Sequence, residues 1–218
     1  MKYEILDGYD HKVRFVAEID CSETDNDSVK KGLAVKWAIK NNIRLDGAEL
    51  INASMFCADL RGAEIRGVDL KYARLCGADL RGANLGEADL TRANLSCADL
   101  RGADLSWSVL KGASLIGANL TGAFMCGADI ENGKLAGSLL KSGGWPAVNL
   151  SYADLRGAEL DGSYLIEADL RYADLRGASL RMVDLTKADF TGAKLSGADF
   201  TGSVMPESAI FLPAEGNC

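Results

Sequence analysis

Residues Gly77–Leu100 read GADLRGANLGEADLTRANLSCADL, nearly the same five letters five times over. Leu falls at 80, 85, 90, 95 and 100, Ala stands two places before each, and Asp or Asn lies between them. Extended outward, the register holds without a slip from Leu45 to Met205. Of these 33 positions 25 are Leu, and the rest are Met, Ile, Phe or the single Trp145. Two places earlier, 23 of 33 residues are Ala, with Ile, Val, Ser or Gly elsewhere. The other three positions of each five are mostly polar or Gly.

A helix repeats its apolar face every 3.6 residues and a strand every 2, so a period of five suits neither over any distance. A short fixed period marks stacked identical units, none able to bury its apolar face alone. If five residues form one short side of a coil, each Leu points inward and successive coils pair at about 4.8 Å. The Ala two places before then points inward into a narrow slot, and the frequent Gly suits a corner with positive φ.

Segments such as ADLRG (98–102), ANLTG (118–122) and ADLRG (153–157) resemble the pentapeptide-repeat family. The resemblance spans residues 43–205. It implies an all-β solenoid, a right-handed quadrilateral β-helix with four pentapeptides per coil. Eight coils are then about 38 Å long.

Residues 1–44 fall outside the repeat. KYEIL and VRFVAEI (Val13–Ile19) alternate as strands about the turn-prone DGYDH, which predicts a hairpin. SVKKGLAVKWAIKNN then predicts a helix with Asp27 or Ser28 as N-cap and Val29, Leu33 and Trp37 on one face. The expected organisation is a hairpin-plus-helix α/β cap over 1–44, a β-helix over 45–205, and a tail over 206–218. An open first coil needs covering, so capping is the expected role of 1–44, with a separate binding role as the alternative. In the tail, Ile210, Phe211 and Leu212 are expected over the last coil, or leave it partly open for another subunit.

One stretch departs from the pattern. In ENGKLAGSLLKSGGWPAVNL (131–150) the Ala positions hold Gly133, Ser138, Gly143 and Val148, and Trp145 replaces Leu. The count of five survives, which predicts a continuous coil with a local bulge. Either Trp145 points inward with Gly143 making room, or it flips outward and Pro146 marks a kink.

The chain has 218 residues and a net charge of −7. Residues 1–44 hold eight basic and eight acidic residues, so the whole excess belongs to the repeats. That balance opposes direct nucleic-acid binding, which needs Lys and Arg to displace counterions. The longest apolar runs are too short to span a membrane, and MKYEILDGYD lacks a signal-peptide core, so a cytoplasmic protein without membrane attachment is expected. Six scattered cysteines form no CxxC pair and His11 is the one histidine, so no metal site or cofactor is expected. Without a phosphate loop or a pair of carboxylates in contrasting environments, the chain is not read as an enzyme.

What remains is surface. Residues twenty apart stack into columns. Asp69, Asp89, Asp129, Asp169 and Asp189 share one column with few basic neighbours (Lys71, Lys111, Arg171), a candidate acidic stripe. Asp59, Asp79 and Asp99 share another that Arg61, Arg81 and Arg101 neutralise. Trp107, Phe124, Cys126, Pro146, Tyr164 and Ile166 gather on one face, a candidate interaction patch for a protein partner or a homodimer. The opposing expectation is that 131–150 folds back over them, or that stacked rings only stabilise the coils. The favoured function is therefore a non-catalytic interaction or scaffold module.

The resemblance also implies an alternative, because the quinolone-resistance members of the family resemble B-form DNA and bind type II topoisomerases. On that reading the partner is DNA gyrase or topoisomerase IV. Magnitudes weigh against it: duplex DNA carries roughly 22 charges over 38 Å, whereas this chain offers −7.

Overall fold

In a computed structural model of the chain, described over residues 1–206, each pentapeptide from Leu45 to Met205 takes the same course. Around Leu95 the N–H of Ala98 returns to the Leu95 carbonyl at 3.0 Å, closing a turn over Ser96 and Cys97. Cys97 lies at φ +58°, and every equivalent corner from Gly47 to Gly202 has positive φ. The recurrent glycine therefore meets a real backbone requirement. Where a side chain stands instead, as in Arg92 (φ +57°) or Trp107 (φ +62°), the left-handed conformation costs about 1–2 kcal/mol.

Between corners the chain is extended for too short a distance to make a conventional strand, and it bonds to its neighbours on both sides. Leu95 N–H donates to the Ser114 carbonyl at 2.7 Å and Asn94 N–H to that of Ala73 at 2.9 Å. Parallel bridges join residues twenty apart from Glu49↔Asp69 to Asp184↔Val204 with no change of register. Four pentapeptides thus make one coil of a solenoid β-helix. The Leu series and the Ala series fill its interior: Leu45, Leu80, Leu120 and Leu165 are all fully buried, as are Ala48, Ala88 and Ala128. Toward the end of the repeats, Phe190, Leu195, Phe200 and Met205 are only half-buried, with Phe190 and Phe200 packed edge to face.

The departure at 131–150 is absorbed without the expected bulge. Lys134↔Asp154 and Leu139↔Glu159 keep the twenty-residue spacing. Trp145 points inward and is fully buried, so the outward alternative with a kink at Pro146 is wrong. Gly143 supplies the room, since a Cβ there would lie 1.9 Å from Trp145 Nε1. The accommodation distorts the corner: the Val148–Trp145 turn bond stretches to 3.4 Å, and the Leu140 carbonyl instead accepts from Ser163 Oγ at 2.5 Å. Trp145 Nε1 itself is buried without a hydrogen-bond partner.

The N-terminal residues form β1 (Lys2–Leu6) and β2 (Val13–Glu18), antiparallel with a bulge between Ile5 and Leu6, followed by α1 (Asp27–Lys40). Two details differ from the sequence expectation. The N-cap is Asn26, whose Oδ1 accepts from Val29 N–H at 3.0 Å. Asp27 is instead engaged by the Tyr3 hydroxyl and Lys31. The deepest helical face is Gly32, Ala34, Val35 and Ala38, whereas Val29 is exposed and Leu33 and Trp37 are half-buried. Gly32 explains the choice of face, because a Cβ there would meet the Ser54 carbonyl at 1.9 Å, so the helix backbone rests directly on the first coil. Trp37 stacks on Phe15 of β2 with ring centroids 6.3 Å apart. Glu49 N–H donates to the Leu6 carbonyl, Gly8 N–H to that of Gly47, and Ser54 N–H to that of Ser28. Two donors that an earlier coil would otherwise take, the N–H groups of Glu49 and Ser54, are thereby occupied. Residues 207–218, with the expectation for Ile210, Phe211 and Leu212, lie outside the described residues.

Candidate interaction surfaces

The Asp or Asn before each Leu has a local task. Its Oδ1 accepts the N–H two residues on, as Asp89 does from Thr91 (3.0 Å), Asn94 from Ser96 (3.0 Å) and Asp129 from Glu131 (3.2 Å). This is an Asx-turn, and an amide serves as well as a carboxylate. The interchange of Asp and Asn along the repeat is thus a turn requirement rather than a charge requirement. The sequence carried that signal in the interchange itself, which a reading in terms of surface charge passes over.

Pairing then reduces the free charge. In the acidic column Lys71 Nζ lies 3.1 Å from both Asp69 and Asp89. Lys111 Nζ lies 3.0 Å from Asp129, and Asn149 donates to the same carboxylate at 3.0 Å. Arg171 grips Asp169 at 2.6 Å and reaches Asp189 at 3.9 Å. Arg171 holds the Asp169 carboxyl below the usual carboxylate range, and the Thr191 hydroxyl does so for Asp189. Partial burial opposes ionisation of Asp89, but Thr91 and Lys71 outweigh it. Five carboxylates thus lie against three cations, a striped surface of small net charge. The second column is more completely matched: Arg61 is bidentate on Asp59 at 2.8 and 2.6 Å, and Arg81 and Arg101 repeat the arrangement on Asp79 and Asp99.

The apolar candidates do converge. Phe124, Gly144 and Tyr164 stack in successive coils, and Cys126, Pro146 and Ile166 form a parallel line beside them. Trp107, Phe124 and Tyr164 are 63%, 57% and 58% exposed, while Cys126, Pro146 and Ile166 are half-buried. Because the coil runs on through 131–150, that stretch does not cover them. Two of the rings are seated on glycines of the next coil: a Cβ at Gly127 would come within 2.4 Å of the Trp107 ring, and one at Gly144 within 3.5 Å of Phe124. Trp107 and Phe124 thus rest one edge on backbone and offer the remainder to solvent, and with Tyr164 they span a ridge about 14 Å long.

Among the described residues, no comparable grouping of chemically reactive side chains is seen. His11 is exposed and faces Glu49 at 3.0 Å. Among the described residues, no three His, Cys, Asp or Glu side chains are grouped to hold a metal, and Cys21, Cys57, Cys76, Cys97 and Cys126 are free thiols. Among them too, no helix is long and apolar enough to cross a membrane.

The sequence matches the family model described as pentapeptide repeats in eight copies, over residues 41–71, 69–106, 104–141, 147–181 and 168–205. Among solved structures the chain is similar to HetL, a pentapeptide repeat protein involved in heterocyst differentiation regulation in the cyanobacterium Nostoc sp. strain PCC 7120. Identity is 33% over 77% of this chain and 89% of that one, with a TM-score of 0.39. A pentapeptide repeat protein of the Arabidopsis thaliana thylakoid lumen is 30% identical over 50% of this chain and 72% of its own, with a TM-score of 0.38. QnrB1, a plasmid-mediated fluoroquinolone resistance protein, is 19% identical over 73% of this chain and 90% of its own, with a TM-score of 0.30. No curated protein sequence matches the chain.

Proposed function

This chain belongs to the pentapeptide-repeat family, and from that premise we propose that it is a non-catalytic protein-interaction module whose contact surface is the ridge of Trp107, Phe124, Cys126, Pro146, Tyr164 and Ile166. The observation that carries the reading is the exposure of three aromatic rings on three of four successive coils of one face, with Cys126, Pro146 and Ile166 lined up beside them. Exposed aromatics with one rigid, backbone-seated edge lose little entropy on binding and dominate interface hot spots. Residues 1–44 act as the cap of the first coil, and the solenoid is right-handed with about eight coils. The ridge serves a protein partner or a second copy of the chain. The test is the Phe124→Ser, Tyr164→Ser double variant, with association followed by light scattering and pull-down. Association should be lost while the melting temperature moves by less than about 2 °C. Unaltered association, or a large drop in melting temperature, would assign the rings to the fold.

The alternative, a DNA mimic acting on DNA gyrase or topoisomerase IV, draws on the alignment of Asp69, Asp89, Asp129, Asp169 and Asp189 along the coil axis. Their pairing with Lys71, Lys111 and Arg171 weakens it. Asn at 89, 129 and 169 would preserve the Asx-turns and remove only charge, so it is a clean probe. Mimicry requires the wild type to inhibit or protect gyrase in a supercoiling assay and the triple Asn variant to do so less. No effect of excess wild-type protein rejects it.

A further inference from the structure

Ten of the twelve arginines are ion-paired with carboxylates. The other two, Arg74 and Arg92, have no carboxylate partner among the described residues, and both line one groove of about 560 Å³. Its walls include Ser28 of α1, Asn52, Asn94 and the rings of Phe56 and Tyr72. The surroundings match. Arg74, Asn94, Ser114 and Lys134 stack in one column. Among the described residues, neither that column nor the outward positions two before and two after it hold a carboxylate between Asn52 and Ala136. Lys134 likewise has no carboxylate partner among the described residues. The nearest acid on the helix wall, Asp27, is turned to Tyr3 and Lys31, and the strip ends where Asp154 is paired with Arg156.

An acidic chain thus carries one strip of three uncompensated cations. We propose that this strip, centred on Arg74, Arg92 and Lys134, docks an extended acidic peptide segment of a partner protein. Three coils separate Arg74 from Lys134, about 14 Å, which matches the spacing of residues i and i+4 in an extended strand laid along the axis. Arg92 stands one coil along from Arg74, and Phe56 (63% exposed) and Tyr72 (48%) flank the arginines for an apolar side chain between the acids. Nucleic acid fits less well. The columns on either side carry Asp69 and Asp89, and Asp59, Asp79 and Asp99, and three cations release few counterions.

The surface is distinct from the aromatic ridge, so either can fail alone. The probe is a fluorescein-labelled (Glu-Ala)₅ peptide followed by anisotropy at about 50 mM salt, with (Gln-Ala)₅ and a 12-residue oligodeoxythymidylate as comparisons. The Glu peptide should bind, and tenfold more weakly or worse to the Arg74→Gln, Arg92→Gln, Lys134→Gln variant, whose melting should be unchanged. The Phe124→Ser, Tyr164→Ser variant should bind it as the wild type does. Equal binding of the Glu and Gln peptides, tighter binding of the oligonucleotide, or no loss in the triple variant would overturn the proposal.

Discussion

Gly143→Ala restores the residue that the repeat usually places two before its inward position, yet it should destabilise the protein. Gly143 does not lie in the left-handed region, so a methyl group meets no backbone strain there. What it meets is Trp145, at 1.9 Å from Nε1, 2.6 Å from Cδ1 and 3.0 Å from Cε2. The indole is fully buried and cannot retreat without moving the coil. Overpacking of this kind costs about 1–3 kcal/mol, or about 2–12 °C in melting temperature for a chain of this size. Trp145→Leu alone should be close to neutral. A residual void of roughly 60 Å³ at about 24 cal/mol per Å³ costs about 1.4 kcal/mol. Removing the unpartnered Nε1 recovers about 1–3 kcal/mol. In the Leu background, Gly143→Ala should stabilise by about 0.4–1 kcal/mol, by restricting the unfolded chain. The double-mutant cycle, read by urea denaturation with far-ultraviolet circular dichroism, should therefore show a coupling of about 1.5–4 kcal/mol. Additivity within about 0.5 kcal/mol, or a neutral Gly143→Ala, would refute the packing argument.

Leu95→Asp buries an unpaired carboxylate inside the coil and should abolish the cooperative melting transition, whereas Asn94→Asp keeps the Asx acceptor and should leave it in place. Comparable melting of the two would contradict the inward assignment of Leu. Asn26→Ala removes the acceptor for Val29 N–H and should cost about 1 kcal/mol in urea denaturation. Equal stability would mean that the first turn is held by its contacts with the coil alone. For pH, Arg61 holds the Asp59 carboxyl down at about 2, and Arg176 does the same for Asp174, against an ordinary value of 3.8. Depressed carboxylates stabilise the folded state above the unfolded value and lose that contribution as pH falls through the folded one. Stability should accordingly be level from pH 7 to 5 and decline between about pH 4 and 2. A midpoint above pH 5 in a dichroism titration would show that other groups control acid unfolding.

The period of five was sufficient to determine which residues lie inside. A coil closed by backbone bonds to its neighbours has only two inward positions per side, and a register that never slips, mostly Leu and Ala, marks them from Leu45 to Met205. Corners were legible for the same reason, since glycine recurs where φ must be positive. The hairpin and the helix were legible from their own periodicities. The helical face was not: Val29, Leu33 and Trp37 are the larger apolar residues, but Gly32 lets the backbone touch Ser54, and close approach outweighs side-chain bulk. The inward turn of Trp145 had two readings in the sequence, because only the neighbouring coils show that Gly143 leaves space and that Ser163 can take up the Leu140 carbonyl. The surface divides along the same line. Columns follow from counting by twenty, but which charges remain free depends on side chains reaching across coils. Lys71 bridges two aspartates from adjacent coils, whereas Arg74 and Arg92, identical in kind to the ten paired arginines, face a strip with no acid to meet. Composition sums over all faces at once, and only the stacked structure separates them.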